Sequence, residues 1–300
     1  MKTIYLLLTI FLLSFVVQAQ KTSETLLQIA DKYWVQPDIV YNVANNTQLK
    51  LDVWYPRDNA KPTPTLVYIH GGGWIFGSKE GAIFQALPYL EKGWRVVNVE
   101  YRMASNSLAP AAVEDTRCAL RWVYRNAKMW NFDTSKIVLT GHSAGGHLSL
   151  ITGMLPDGTA LDNNCYADEK YGDVKMHVAA IINWFGITDV TDMLEDGGNP
   201  RGYAIEWVGN RNDTARIATR ASPLTYVRAG LPPILTIHGD ADTLVPVAHA
   251  RRLHEALQKA GTPSELIVIP GGGHGGFNPQ QVRDIDAAIR AFLTKNGILK

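Results

Sequence analysis

The sequence predicts a three-layer α/β architecture, with a mainly parallel sheet flanked by helices. Three observations predict it. Short apolar, β-branched runs alternate with helical patterns from Leu49 onward. Most of these runs are apolar nearly throughout, as parallel strands covered on both faces must be. No internal repeat, low-complexity tract or linker breaks the alternation, so residues 20–300 read as a single domain.

The elements follow in order. Leu49 to Tyr55 alternates at period two, as a strand with one exposed face does. Thr65–Ile69, Val96–Val99, Ile137–Thr140, Ala179–Ile182, Ile234–Ile237 and Leu266–Ile269 are compact apolar strands. Between them, Ala109 to Lys128 carries Val113, Leu120 and Val123 near helical spacing, with Pro110 at its start, where a missing N–H costs nothing. Ala144–Met154, Ala248–Ala260 and Pro279–Lys295 read as helices too, the third of these four stopped by Gly261. The connection from Phe185 to Thr225 is too long for a loop and holds weak helical pieces, Arg201 to Val208 above all. It is expected to form a small cap inside the same domain.

Composition narrows the function. Lys and Arg number 29 against 28 Asp and Glu, and hydrophobic residues make up 46% of 300. A nearly neutral chain without a basic patch offers no field for phosphate backbones, so nucleic acid is not an expected partner. The eight histidines form no dense metal-ligand cluster, and no metal or organic cofactor is expected.

Lys2, the apolar run Ile4–Val17 and the small-residue site Val17-Gln18-Ala19 read as a secretory signal over residues 1–19. The expectation is export to the periplasm or outside the cell, with no membrane span after cleavage; an uncleaved N-terminal anchor is the alternative. Cys118 and Cys165 are the only cysteines. Export permits a bridge, since Cys165 lies in a polar loop that could fold over the helix bearing Cys118. One pair is no cysteine framework, however, and the reading favours two separate thiols, with Cys118 buried.

The chemistry concentrates after strands. Ile137-Val138-Leu139-Thr140 runs into Gly141-His142-Ser143-Ala144-Gly145, and a helical run follows. A serine on so sharp a strand-to-helix turn needs tiny residues two places to either side, and its hydroxyl then projects at a helix N-terminus, where developing negative charge is favoured. A glycine-rich turn with an ordinary serine is the competing reading. His70-Gly71-Gly72-Gly73-Trp74 follows the strand ending at Ile69, and its bare N–H groups can be aimed at an oxyanion. Gly72 and Gly73, with the N–H of Ala144, are the expected donors, while His70 holds the loop's shape. A serine also needs a base, and the base an orienting acid. His274, flanked by glycines after the last strand, is the candidate base; Asp240 and Asp242, after the strand before it, are the candidate acids. His142 and His147 make a poor metal pair. His249 and His254 read as solvent-facing, and Asp115 as structural, pairing with Arg117 or with the Tyr101-Arg102 loop.

Together, these four motifs in this order resemble the α/β-hydrolase superfamily, specifically HGGGW-type carboxylesterases of the hormone-sensitive-lipase-like group, over Leu49 to Lys295. In that group the acid stands in an H-G-x-x-D-x-x-V-P pattern, matched by His238, Gly239, Asp242, Val245 and Pro246. The resemblance therefore implies Asp242, with Asp240 left as a turn-former. It implies acyl transfer by Ser143, His274 and Asp242 on a small-molecule or carbohydrate ester. An exported enzyme of this type is similar to acetyl-xylan and feruloyl esterases, so short acyl (acetyl) or feruloyl esters of plant carbohydrate are the expected substrates, with Trp74, His142 and Trp184 as candidate contacts. A general short-chain carboxylesterase, an amidase or formamidase, and a catalytically silent binding protein on the same scaffold are the alternatives. A long-chain lipase is disfavoured for want of an extended apolar lid, and an exopeptidase for want of room for an additional domain.

Overall fold

The computed structural model describes residues 27–161, 165, 174–195 and 201–299. The expected secretion signal lies outside the described residues. Among these, no helix is long and apolar enough to cross a membrane.

One eight-stranded sheet organises the chain. Its strands are β1 (Tyr33–Ala44), β2 (Thr47–Pro56), β3 (Thr63–Ile69), β4 (Arg95–Val99), β5 (Phe132–His142), β6 (Ala180–Trp184), β7 (Ile234–Gly239) and β8 (Ser264–Ile269), in spatial order 1-2-4-3-5-6-7-8. The first two pairings, β1–β2 and β2–β4, are antiparallel, and the rest are parallel. The expected mainly parallel sheet is what forms. The strand that sequence reading missed is β1, where Pro37 and two register shifts, at Gln36/Ile39 and Val40/Asn42, break any regular alternation.

Successive strand residues point to opposite faces, so each apolar strand feeds two cores. Val67, Val97, Leu139 and Ile181 pack under α1 (Ala111–Arg125) and α2 (Ala144–Met154) through Leu120, Val123 and Leu150. Leu66, Val96, Val138 and Ile182 face Ile285, Ile289 and Phe292 of the C-terminal helix. Between β6 and β7 the chain forms the cap, made of α3 (Val190–Glu195), α4 (Gly202–Val208) and α5 (Thr214–Arg220). Its buried Met193, Trp207, Val208 and Ile217 pack with Trp74, Tyr101 and Leu148 of the sheet-bearing part. The chain then completes α6 (Ala248–Lys259) and α7 (Pro279–Lys295), the latter started by a capping box between Asn278 and Gln281.

Two expectations need correction. Cys118 and Cys165 are joined by a disulfide across 47 residues; which loop lies over α1 is decided by tertiary packing that spacing does not report. His249 is buried rather than solvent-facing, because α6 turns that side toward the cap, where the Thr188 N–H donates to its Nδ1 at 3.3 Å. Asp115 takes the Arg102 option: Nε and Nη2 of Arg102 donate to its carboxylate at 2.9 and 2.6 Å, as does the Arg102 amide at 2.9 Å.

Candidate active site

The parallel pairings place the ends of five strands side by side. Ile69 pairs with Gly141, His142 with Trp184, Trp184 with Ile237, and Gly239 with Ile269. Those ends and the segments that leave them carry the candidate catalytic, oxyanion and contact residues read from the sequence, which is where a parallel sheet collects its functional groups.

Ser143 sits between β5 and α2 with φ 57° and ψ −120°. A non-glycine residue holds such a backbone only when its surroundings over-determine it. They do: a Cβ at Gly141 would lie 2.3 Å from the Ile69 carbonyl oxygen, and one at Gly145 2.1 Å from the same atom. The Ser143 amide donates to the Trp184 carbonyl at 2.9 Å, tying the turn to the neighbouring strand.

The loop after β3 turns through three consecutive positive φ values, 117° at Gly72, 60° at Gly73 and 62° at Trp74. A Cβ on Gly72 would lie 1.9 Å from the Phe76 carbonyl oxygen, so no larger residue fits there. Among the described residues, the N–H groups of Gly72, Gly73 and Ala144 are left without a backbone acceptor. His70 shapes this loop: its ring stacks on Tyr101 at 4.3 Å, its Nδ1 lies 2.8 Å from the Gly71 carbonyl oxygen, and its Nε2 lies 3.4 Å from Glu100.

Asp242 and His274 meet across the loops after β7 and β8, with His274 Nδ1 2.7 Å from Asp242 Oδ2. Oδ1 of Asp242 accepts from the amides of Leu244 and Val245 at 2.8 and 2.9 Å. Burial alone would raise this carboxyl's pKa. Hydrogen bonds from His238, His274 and Val245 outweigh it and hold Asp242 well below the usual carboxylate range. Asp240 instead accepts from the Gly271 amide at 2.7 Å and so joins the two loops.

Of the three expected aromatic contacts, Trp74 is displaced from that role. Its ring is fully buried and stacks on Trp207 of the cap at 4.1 Å, out of reach of any substrate. The sequence shows an aromatic beside the glycines but not the cap residue that covers it. His142 and Trp184 stack on one another at 4.8 Å and line a cavity of about 530 Å³ between the sheet and α7, with Tyr68, Phe185 and Phe277. The Nδ1 of His142 lies 2.8 Å from the Tyr68 hydroxyl oxygen, and burial, helped by the neighbouring His274, pushes its pKa down to about 4. The lining of this cavity takes in His142 and Gly275, sequence neighbours of Ser143 and His274, rather than those residues themselves.

Three residues at the site escaped sequence reading as functional groups. Phe185, at φ 39°, sets its ring edge-on to His274 at 4.7 Å and to His142 at 5.4 Å. His238 is buried with its Nε2 2.8 Å from the Val245 carbonyl oxygen, although the H-G-x-x-D spacing already contained it. Tyr203 of α4 covers Gly73 and donates its hydroxyl to the Leu244 carbonyl at 3.1 Å, bridging the glycine loop and the Asp242 loop. Among the described residues, no group of three or more His, Cys, Asp or Glu side chains is placed to hold a metal ion. The arrangement is equipped for nucleophilic acyl chemistry: a hydroxyl on a strained turn, a glycine loop that passes it at Gly71, where an added Cβ would lie 3.6 Å from the Ser143 Cβ, and an imidazole oriented by a charged carboxylate.

A family model described as BD-FAE matches residues 51–257. Among curated proteins, Esterase LipC of Mycobacterium tuberculosis is 32% identical over 237 residues, covering 75% of this chain and 56% of its own length. The isoprenylcysteine alpha-carbonyl methylesterase ICME of Arabidopsis thaliana is 24% identical over 262 residues, covering 83% and 59%. The chain thus spans little more than half the length of the curated relatives it matches. Among solved structures, a thermophilic esterase from Thermogutta terrifontis superimposes with TM-score 0.72 at 31% identity, covering 89% of this chain and 94% of that one. A truncated carbohydrate esterase from gut microbiota gives TM-score 0.71 at 27% identity, covering 88% and 97%.

Proposed function

The chain belongs to the BD-FAE family of α/β-hydrolases, and from that premise we propose that it is a serine-dependent carboxylic ester hydrolase. Ser143 attacks the ester carbonyl while the Nε2 of His274 takes its proton. This nitrogen is available because Nδ1 is committed to Asp242. Asp242, held as an anion, stabilises the imidazolium that results. The tetrahedral oxyanion is stabilised by the amides of Gly72, Gly73 and Ala144, each donor contributing about 3–4 kcal/mol. His274 then returns the proton to the leaving alcohol, and water repeats the sequence in reverse on the acyl-enzyme. The observation that carries this reading is the 2.7 Å Asp242–His274 hydrogen bond, formed at the strand-end row that also carries the Ser143 turn. The names of the relatives, esterases in each case cited, support it.

The test is turnover of p-nitrophenyl acetate by the purified protein and by Ser143→Ala, together with labelling by a fluorophosphonate. Wild-type activity lost in the variant, with Ser143 labelled, is the expected result. An unreactive wild type points instead to a silent scaffold, and an active Ser143→Ala removes the mechanism.

We further read the protein as exported, and its substrates as short acyl or feruloyl esters of plant carbohydrate. The Cys118–Cys165 disulfide supports export, since such bonds persist in oxidising compartments. Likeness to proteins described as a gut carbohydrate esterase and a bifunctional GH43-CE of Bacteroides eggerthii supports the carbohydrate reading. Initial rates on acetylated xylan, methyl ferulate and long-chain p-nitrophenyl esters decide it, and a preference for the long chains ends it.

A further inference from the structure

Trp74 pays an unusual conformational cost. It is a bulky residue at φ 62°, directly after Gly72 and Gly73, the two glycines proposed as oxyanion donors. A backbone of that kind persists only where the surrounding structure over-determines it. The hold on Trp74 comes from two directions. Its ring stacks on Trp207 of the cap, with an interplanar angle of 12°. Its indole Nε1–H donates to Nδ1 of His147 at 3.1 Å.

His147 in turn reaches three parts of the fold. Its backbone amide donates to the Ser143 carbonyl at 2.9 Å, in the first turn of α2. Its Nδ1 accepts from Trp74, and its Nε2 lies 2.7 Å from the carbonyl oxygen of Ala221, the residue that ends α5 of the cap. An indole N–H can only donate and a carbonyl can only accept, so the proton of this imidazole must sit on Nε2. Burial favours that neutral form, pushing the pKa down to about 4 against the Ala221 carbonyl, which favours the charged one. The ring therefore serves as a fixed acceptor on one side and a fixed donor on the other.

We propose that His147 is a positioning residue: it sets the Gly72–Trp74 loop against Ser143 and locks the cap onto that loop. The proposal rests on the esterase reading above. Its consequence is that the loop amides are registered to the nucleophile through the Trp74–His147 hydrogen bond, while the His147–Ala221 bond serves chiefly to hold the cap.

Two substitutions separate the ends of this relay. His147→Asn puts an amide oxygen near the Nδ1 position and still accepts from Trp74. His147→Gln reaches the Nε2 position and still donates to Ala221, but leaves the indole N–H without an acceptor. Because displacing a catalytic group by an ångström costs up to about 100-fold, His147→Gln is expected to lower kcat on p-nitrophenyl acetate by about 10-fold or more with KM unchanged. His147→Asn is expected to stay within about 3-fold of wild type in kcat and to show the lower Tm of the two. Equal kcat losses in the two variants, a larger loss in His147→Asn, or a loss confined to KM would overturn the proposal. Should either variant fail to fold, Trp74→Phe deletes the same N–H from the other side, and an unchanged kcat there overturns it equally. A wild-type protein without esterase turnover defeats the underlying reading; an active wild type with indistinguishable variants defeats only the role of His147.

Discussion

His238 Nε2 lies 3.3 Å from Asp242 Oδ2, the oxygen that His274 Nδ1 also approaches. The proton on His238 Nε2 is thereby shared between the Val245 carbonyl at 2.8 Å and the carboxylate, inside a fully buried environment. Asp242 is thus surrounded by donors: two imidazoles and two backbone amides. Replacing His238 by Leu removes one of them and strands the Val245 carbonyl. Stability is expected to fall by about 2 kcal/mol at pH 7, and kcat on p-nitrophenyl acetate to fall with it. Urea titration and steady-state kinetics check this, and unchanged values in both contradict it.

Acid should begin to destabilise the fold below about pH 6.5. His147 and His249 are buried, and burial sets both pKa values at about 4, against about 6.5 in an unfolded chain. Between those limits the unfolded state binds protons that the folded state refuses, so stability falls as pH falls, by up to about 3 kcal/mol per histidine. Asp242 acts in the same direction lower down: its pKa is depressed by folding, so its contribution is complete above about pH 4 and is lost below it. Melting temperatures at pH 7, 5.5 and 4.5 should descend steadily, and a flat profile over that range contradicts the assignment.

The disulfide closes a 47-residue separation. Restricting the unfolded chain over such a loop is worth about 4 kcal/mol. The bond belongs to the apolar cluster beneath α1, a different cluster from the one that holds the cap and Trp74. A Cys118→Ala/Cys165→Ala variant is therefore expected to lose several kcal/mol in denaturant titration while keeping kcat near wild type at 25 °C.

Gly72→Ala should separate fold from chemistry. A methyl group at that position collides with the Phe76 carbonyl oxygen and demands a backbone that alanine rarely adopts. The loop must shift, carrying its amides away. Turnover should fall by about 100-fold or more, while far-ultraviolet circular dichroism stays native, because the collision is confined to the loop.

Asp115 is the buried end of an ion pair with Arg102. Asp115→Ala takes the close carboxylate from a buried guanidinium and leaves it only Glu114, 3.5 Å from its Nη2, which is expected to cost about 3 kcal/mol. Soluble yield and chemical denaturation report it directly.

The parallel strands were legible because being covered on both faces leaves a strand little choice but mostly apolar residues, as in Leu66–Ile69 and, with Asn98 the one polar residue, Val96–Val99. The glycines about Ser143 were legible for a steric reason: a side chain at Gly141 or Gly145 has nowhere to go. What lay beyond the sequence depends on docking between distant segments. Whether Trp74 is a contact or a buried strut depends on Trp207, more than a hundred residues later. The burial of His249 depends on the cap, and the partner of Cys118 on where one polar loop comes to rest. Phe185 left no periodic trace, because its place beside His274 follows from a single left-handed residue at the end of β6.

β1 forms one border of the sheet and leaves Trp34, Val35, Val40 and Val43 exposed. A smooth twelve-residue border with such side chains would invite a second molecule to add its own strand. Two interruptions oppose that. Pro37 offers no N–H, and Asp38, at φ 56°, turns its amide inward to the Asp52 carboxylate at 2.9 Å. The same irregularity that hid this segment from a periodicity search thus interrupts the border along which a second strand would have to pair.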